Sequence, residues 1–112
     1  MVNSSVLDRA FAAYSHPLRR EILERLTAGE LTVGEATGDL PVSGPAISRH
    51  LKVLEEAGTI VRVIDGRHHR LRLREGSSDA PRSWLERQRA LWERKFDVVE
   101  EYLSEQREEE QR

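Results

Sequence analysis

The segment Pro41-Val42-Ser43-Gly44-Pro45-Ala46-Ile47-Ser48-Arg49-His50-Leu51-Lys52-Val53-Leu54 (PVSGPAISRHLKVL) opens as a turn would, with two prolines and a glycine, and then runs into an apolar pattern of helical period. Ser43 is a residue type that accepts from the orphan N–H groups of a new helix, and Pro45 suits its first turn, so the prolines and glycine mark a helix start. Ile47, Leu51 and Leu54 line one side of that helix. At about 100° per residue, Pro45, Arg49, Lys52 and Glu56 point the opposite way, with Ser48 on the flank and His50 at the border. Gly58 ends it. Such a helix, sharply started and cationic on one side, has the form of an element aimed at a polyanion.

Upstream, Val6, Leu7, Ala10, Phe11 and Tyr14 recur at helical spacing and predict a short first helix ending near Ser15. Pro17 suits the first turn of a second helix, with His16 at its start, and Leu18, Ile22 and Leu26 form its buried stripe until Gly29. Thr32 with Glu35 three residues on is a capping box, predicting a third, short helix with Val33, Ala36 and Leu40 as its apolar residues. The quoted segment follows it directly.

Downstream, residues 60–64 and 67–74 read as two strands around Asp65-Gly66. An odd-length loop with Gly66 at a left-handed bulge is expected. It places Val61, Val63, Leu71 and Leu73 on one face, Arg62, Arg70 and Arg72 on the other, and Arg67 and His68 at the tip; a two-residue loop would mix the faces. A linker at 76–79 leads to a long helix over residues 81–106. It carries Trp84, Leu85, Leu91, Trp92, Phe96, Val99, Tyr102 and Leu103, more apolar surface than a helix lying beside a small domain needs, which points to self-association. Residues 107–112, REEEQR, read as a disordered, solvated charge run.

The 112 residues fit one domain, residues 1–106, whose last helix serves for pairing. Charged residues make up 34% and the core is correspondingly thin, so a partner copy is expected to contribute to stability. With no cysteine, disulfides, thiolate metal sites, cysteine nucleophiles and thiol switches are excluded. No apolar run approaches membrane length and the N-terminus has no basic-then-apolar leader, from which a soluble cytoplasmic protein is expected. The formal net charge is −2, but its distribution is uneven. Residues 41–75 hold seven Arg or Lys against four acids, net +3, and residues 76–112 hold seven against ten, net −3. A basic middle beside an acidic end attracts phosphate on one face while keeping the chain soluble. The candidate DNA contacts are Ser43, Ser48, Arg49, His50 and Lys52 on the fourth helix and Arg67, His68 and Arg70 on the hairpin.

Four helices, a hairpin and a last helix, with the fourth helix and the hairpin cationic, form the order of a winged helix-turn-helix, mostly α with a small β-hairpin. The blocks HPLRREIL, GELTVGEA, SGPAISRHLKVLEEAGTIV and DGRHHRLRL resemble successive segments of the ArsR/SmtB family of repressors over about residues 5–75. The C-terminal WLERQRALWERKFDVVEEYL is similar to the last helix of members without a metal site. The resemblance implies a homodimeric repressor of its own or a neighbouring operon, bound to an inverted-repeat operator in double-stranded DNA and released by a small-molecule or protein effector. It implies that the helix at 43–57 enters the major groove, that the wing at 65–69 touches backbone or minor groove, and that the first and last helices pair across the dimer. The interface residues are then Leu7, Phe11, Trp84, Leu85, Trp92, Phe96, Val99 and Leu103.

Two departures from the family pattern bear on function. Where metal-sensing members carry ELCVCDL, Thr32 and Gly34 replace both thiol positions, and residues 79–112 hold no histidine for the other family site. Gly44 stands where related proteins often hold an Arg or Gln reaching the DNA, which leaves readout to Ser48 and Arg49. No metal and no cofactor is expected. His68 and His69 are neighbours on a strand and point to opposite faces, so they do not chelate one ion. Nothing resembles a nucleophile elbow, a phosphate-binding glycine loop or a zinc helix, so an enzyme is not expected. The rival reading is a winged-helix module whose basic face serves an acidic protein partner.

Overall fold

The computed structural model describes residues 4–111. They form two compact units, one running to Pro81 and one over residues 82–111. The first unit holds α1 (Ser4–Tyr14), α2 (Pro17–Leu26), β1 (Leu31–Thr32), α3 (Val33–Thr37), α4 (Gly44–Glu56), β2 (Ile60–Asp65) and β3 (His68–Leu73).

Local signals start and stop these helices as the sequence predicts. His16 is the N-cap of α2, its ring accepting from the Leu18 N–H at 3.1 Å, with Pro17 in the first turn. Thr32 and Glu35 close a reciprocal capping box on α3: the Thr32 hydroxyl accepts from the Glu35 N–H, and the Glu35 carboxylate accepts from the Thr32 N–H. Those bonds hold the Glu35 carboxyl below its ordinary range. Ser43 caps α4 by accepting from the Ala46 N–H at 3.3 Å. At its other end the Gly58 N–H donates to Glu55 and the Thr59 N–H to Leu54, a Schellman closure that needs Gly58 at its positive φ of 72°.

One core joins the elements. Ala13, Ile22, Leu26, Ala36, Leu51, Leu54, Ile60 and Leu71 pack together with at most 3% of each exposed. The apolar side of α4 thus faces inward, and its other side is left to solvent.

The sheet differs from expectation in two respects. It has three strands, in the order β1-β3-β2, because Leu31 and Thr32 pair with Leu71 and Arg70. Two residues are too short for a period-two pattern, so the sequence gives no sign of β1. The hairpin register is also different: Asp65 pairs with His68, leaving the two-residue loop Gly66-Arg67. Gly66 has a φ of 61° at the first central position, as a type II′ turn requires.

Arg62 therefore shares a face with Leu71, and Val61 and Val63 share theirs with Arg72 and Arg70, which overturns the segregated faces expected. The cause lies at the two strand ends. Ile60 follows the Schellman closure directly and is buried, and Leu71 is buried between both neighbouring strands. With 60 and 71 both facing inward, only an even loop joins them. The inward Arg62 is accommodated by Glu55 on α4, whose carboxylate accepts from Nε at 3.2 Å and from a terminal nitrogen at 2.6 Å.

The last helix, α5 (Asp79–Glu110), is 32 residues, about 48 Å at 1.5 Å per residue. It starts two residues before the expected Pro81 and continues past residue 106. The run Arg107-Glu108-Glu109-Glu110 is made of helix formers without Gly or Pro, so nothing local stops it. No helix among the described residues is long and apolar enough to cross a membrane.

Candidate nucleic-acid interface

The cationic side of α4 is built by what holds its other side. Leu51 and Leu54 fix the helix in the core, and Ser43, Ser48, Arg49 and Lys52 are exposed. Lys52 lies 3.9 Å from Glu56 one turn on, with both side chains well exposed, so the pair is loose and the ammonium remains available. A Cβ built on Gly44 meets nothing within 4 Å, so the first turn of α4 is open to solvent.

His50 is placed differently from its neighbours. It is half-buried, its ring lies 4.4 Å from that of His16, and its Nδ1 accepts from an Arg19 N–H at 3.1 Å. Burial, then the charges of His16, Arg19 and Arg49, lower its pKa. With Nδ1 accepting, the neutral ring carries its proton on Nε2, the donor it has left for a phosphate.

Arg19, which the sequence reading missed, is the hub of this corner. Besides His50 it donates to the carbonyls of Ala12 and Ala13 and to the Ser15 hydroxyl, so one guanidinium ties the C-terminus of α1 to α4. The last carbonyls of α1 carry partial negative charge, which a cation stabilises. Arg25 was missed as well. It donates to Glu21 and Asp39 and to the Ala36 carbonyl, joining α2 to the turn between α3 and α4 and holding the Asp39 carboxyl below its ordinary range. No pattern in the sequence marks contacts spanning 11 to 31 residues.

On the wing, Arg67 sits in the loop and His68 opens β3, both exposed. Arg70, also exposed, lies on the central strand opposite Val63 and Thr32, and its charge helps lower the Glu35 carboxyl. His69 is on the other face, its Nδ1 3.2 Å from an Arg62 nitrogen, so the two adjacent histidines do point apart. Glu55 and Arg62 thereby join the last turn of α4 to the wing.

In the second unit, Leu85, Trp92, Phe96, Val99 and Leu103 are all at least half exposed and lie within about 60° of one another around α5. Trp92 and Phe96 stack with centroids 5.9 Å apart, and Lys95 lies 5.8 Å over the Trp92 ring. Leu91, Val98 and Tyr102 form a second exposed stripe. Trp84 is half-buried, as are Leu7 and Phe11 on α1.

A helix-turn-helix domain family matches residues 14–64, the span from the end of α1 to β2. The chain is similar to an ArsR family transcriptional regulator of known structure, at 30% identity and a TM-score of 0.78 over 82% of this chain and 95% of that one. It belongs to the ArsR family. An ArsR-like transcriptional regulator from Rhodococcus gives 31% identity and a TM-score of 0.77 over 89% of this chain and 92% of the other. Among curated proteins, this ArsR-family chain is 58% identical over 50 residues to the HTH-type transcriptional regulator Rv2034 of Mycobacterium tuberculosis, 45% of this chain and 47% of that protein. It is 39% identical over 54 residues to the transcriptional repressor SdpR of Bacillus subtilis, 48% of this chain and 60% of SdpR. The matches span about half the length of these curated relatives. The fold is a winged helix-turn-helix, that of the ArsR family of transcriptional regulators.

Proposed function

We propose that this protein is a DNA-binding transcriptional regulator, a homodimeric repressor of its own or a neighbouring operon. In this reading α4 lies in the major groove of an inverted-repeat operator, with Arg49 and Ser48 meeting base edges and Ser43, His50 and Lys52 meeting phosphates. Arg67, His68 and Arg70 grip the backbone or minor groove from the wing. The observation that carries the reading is the solvent-facing Ser48, Arg49 and Lys52 on a helix whose opposite side is fixed in the core. Dimerisation is supported by the apolar stripe of α5, which large side chains leave exposed in the single chain, with Leu7 and Phe11 of α1 assisting. A trigger other than metal or thiol oxidation is supported by the chemistry at the family's thiol positions. The Thr32 hydroxyl is engaged in the capping box, and Gly34 offers no ligand.

Fluorescence anisotropy with DNA from upstream of the protein's own coding sequence tests the DNA contacts. Arg49→Ala is expected to cost about 1–3 kcal/mol on the operator and much less on random DNA. Arg67→Ala is expected to weaken both alike and to reduce the slope of log K against log salt by about one for each phosphate it no longer neutralises. Equal weakening on operator and random sequence for Arg49→Ala would leave a module that holds DNA by charge alone. Addition of zinc, arsenite, cadmium or peroxide is expected to leave operator affinity unchanged, and a tenfold loss at micromolar metal would overturn that part of the reading.

A further inference from the structure

A cavity of about 460 Å³ lies at the base of the wing, in the size range of small-molecule sites. Tyr14, Leu23 and Leu73 form its apolar walls, Thr59 contributes a buried hydroxyl, and Glu24, Thr27 and residues 74–78 complete the lining. None of these residues takes part in the DNA contacts described above.

The lining has a definite chemistry. The Thr59 hydroxyl already donates to the Leu54 carbonyl at 2.9 Å and the Thr27 hydroxyl to the Glu24 carbonyl at 2.5 Å, so toward the cavity both offer only lone pairs. Glu24 and Glu75 supply two carboxylates against one cation, Arg74. The site is therefore apolar in its walls, rich in acceptors and negative in balance. A molecule with a ring to fill the space and an amine or hydroxyl to donate fits it, and an anion does not.

Its position gives it leverage over both DNA contacts. The Thr59 N–H and hydroxyl both bond the Leu54 carbonyl in the last turn of α4, and the Thr59 carbonyl accepts from the Arg74 N–H at the end of β3. Tyr14 is the last residue of α1, whose C-terminal carbonyls Arg19 ties to His50 on α4. Displacing Thr59, Leu73 or Tyr14 shifts the wing or α1 against the recognition helix.

We propose that this cavity is an effector site for a small ring-bearing amine or alcohol without negative charge, and that filling it lowers DNA affinity, an inference that rests on the DNA-binding role of α4 and the wing. The full-length protein is titrated with N-phenyl-1-naphthylamine, an uncharged amine bearing a phenyl and a naphthyl group, whose fluorescence rises in apolar surroundings. Saturable binding of one dye per chain is expected. It should be weakened at least tenfold by Leu23→Trp, which fills the space from a helix, and by Ser77→Trp, which fills it from a loop and does not threaten the core. The sulfonated analogue 1-anilinonaphthalene-8-sulfonate should bind at least tenfold more weakly than the amine. Saturating amine should lower operator affinity at least threefold, and operator should weaken dye binding by the same factor, because coupling between two sites is reciprocal.

Dye binding untouched by Ser77→Trp would overturn the site. Equal affinity for the sulfonate would overturn its chemistry, and dye binding without loss of operator affinity would overturn its role. Dye binding that appears only on dilution to monomer would show that a second copy fills the cavity instead. Operator binding is measured first without dye, and its dependence on Arg49 judges the DNA-binding reading independently.

Discussion

Arg62 offers a quantitative test of how the wing is joined to α4. Two of its nitrogens reach one Glu55 oxygen at 3.2 and 2.6 Å, and the two side chains remain 26% and 33% exposed. A fully exposed ion pair contributes about 0.2–1 kcal/mol, and a hydrogen bond to a charged group about 1.5–3 kcal/mol. A pair that is a quarter to a third wet falls between, so a coupling of about 1–1.5 kcal/mol is expected. Arg62→Met keeps the stem and removes the charge, and the Glu55 left behind still has water, so the single substitution should cost about 1.5–2 kcal/mol. In a chain of this length that is a fall in Tm of roughly 6–8 °C. The assay is a double-mutant cycle of urea unfolding with Arg62→Met, Glu55→Gln and the pair, at one protein concentration because a dimer's stability depends on it. Simple additivity, a coupling below about 0.3 kcal/mol, would refute the argument and leave Ile60 and Leu71 to set the register alone. Operator titration adds a second criterion. Arg62→Met should leave the salt slope unchanged, whereas an outward-facing wing arginine on phosphate would lower it by about one.

Three further outcomes are expected. A Cβ on Gly38 would lie 2.6 Å from the Gly34 carbonyl oxygen while one on Gly44 meets open space, so Gly38→Ala should lower Tm by several degrees. Gly44→Arg should leave Tm nearly unchanged and raise affinity for operator and random DNA together; equal melting of the two variants would contradict this. Trp92→Ala with Phe96→Ala should weaken the dimer by about 3 kcal/mol or more, two decades in Kd, and wild type sedimenting as a monomer at micromolar concentration would remove the basis of the expectation. The His50 pKa lies below its ordinary 6.5, so the unfolded chain binds that proton more readily. The associated stability is full above the ordinary value and is lost as pH falls through it toward the folded one. Tm should therefore drop more between pH 7.5 and 5.5 in wild type than in His50→Gln, whose amide oxygen still accepts from Arg19. The lowered Glu35 and Asp39 carboxyls act at more acid pH, and parallel curves for the two proteins would dismiss the His50 contribution.

What the sequence disclosed was local. Ser43 with Ala46, Thr32 with Glu35, and Gly58 after α4 are contacts of a few residues, and the turn chemistry that makes them is written in the residue types. The exposed side of α4 followed from period alone. The wing register did not, because Asp65-Gly66 is compatible with more than one loop length and the choice is made elsewhere. It is made by Ile60 emerging from the end of α4 and by Leu71 paired to a strand of two residues. Arg19 and Arg25 were illegible for a related reason. Nothing in the residue types sets them apart from the other charges of α2, and only the folded chain brings carbonyls of α1 and α3, Asp39 and His50 within reach.

Thr32 belongs to two structures at once. It pairs with Arg70 as the end of β1, and its hydroxyl caps α3. The first helix of the helix-turn-helix is thus fastened to the central strand of the wing by one residue, while Glu55 and Arg62 fasten α4 to the adjacent strand. In the proposed complex, the span between α4 and the wing tip is then set by the protein, and compliance has to come from the duplex. Base pairs between the two footholds, touched by neither, are expected to affect affinity through their stiffness, with pyrimidine–purine steps favoured there over A-tracts.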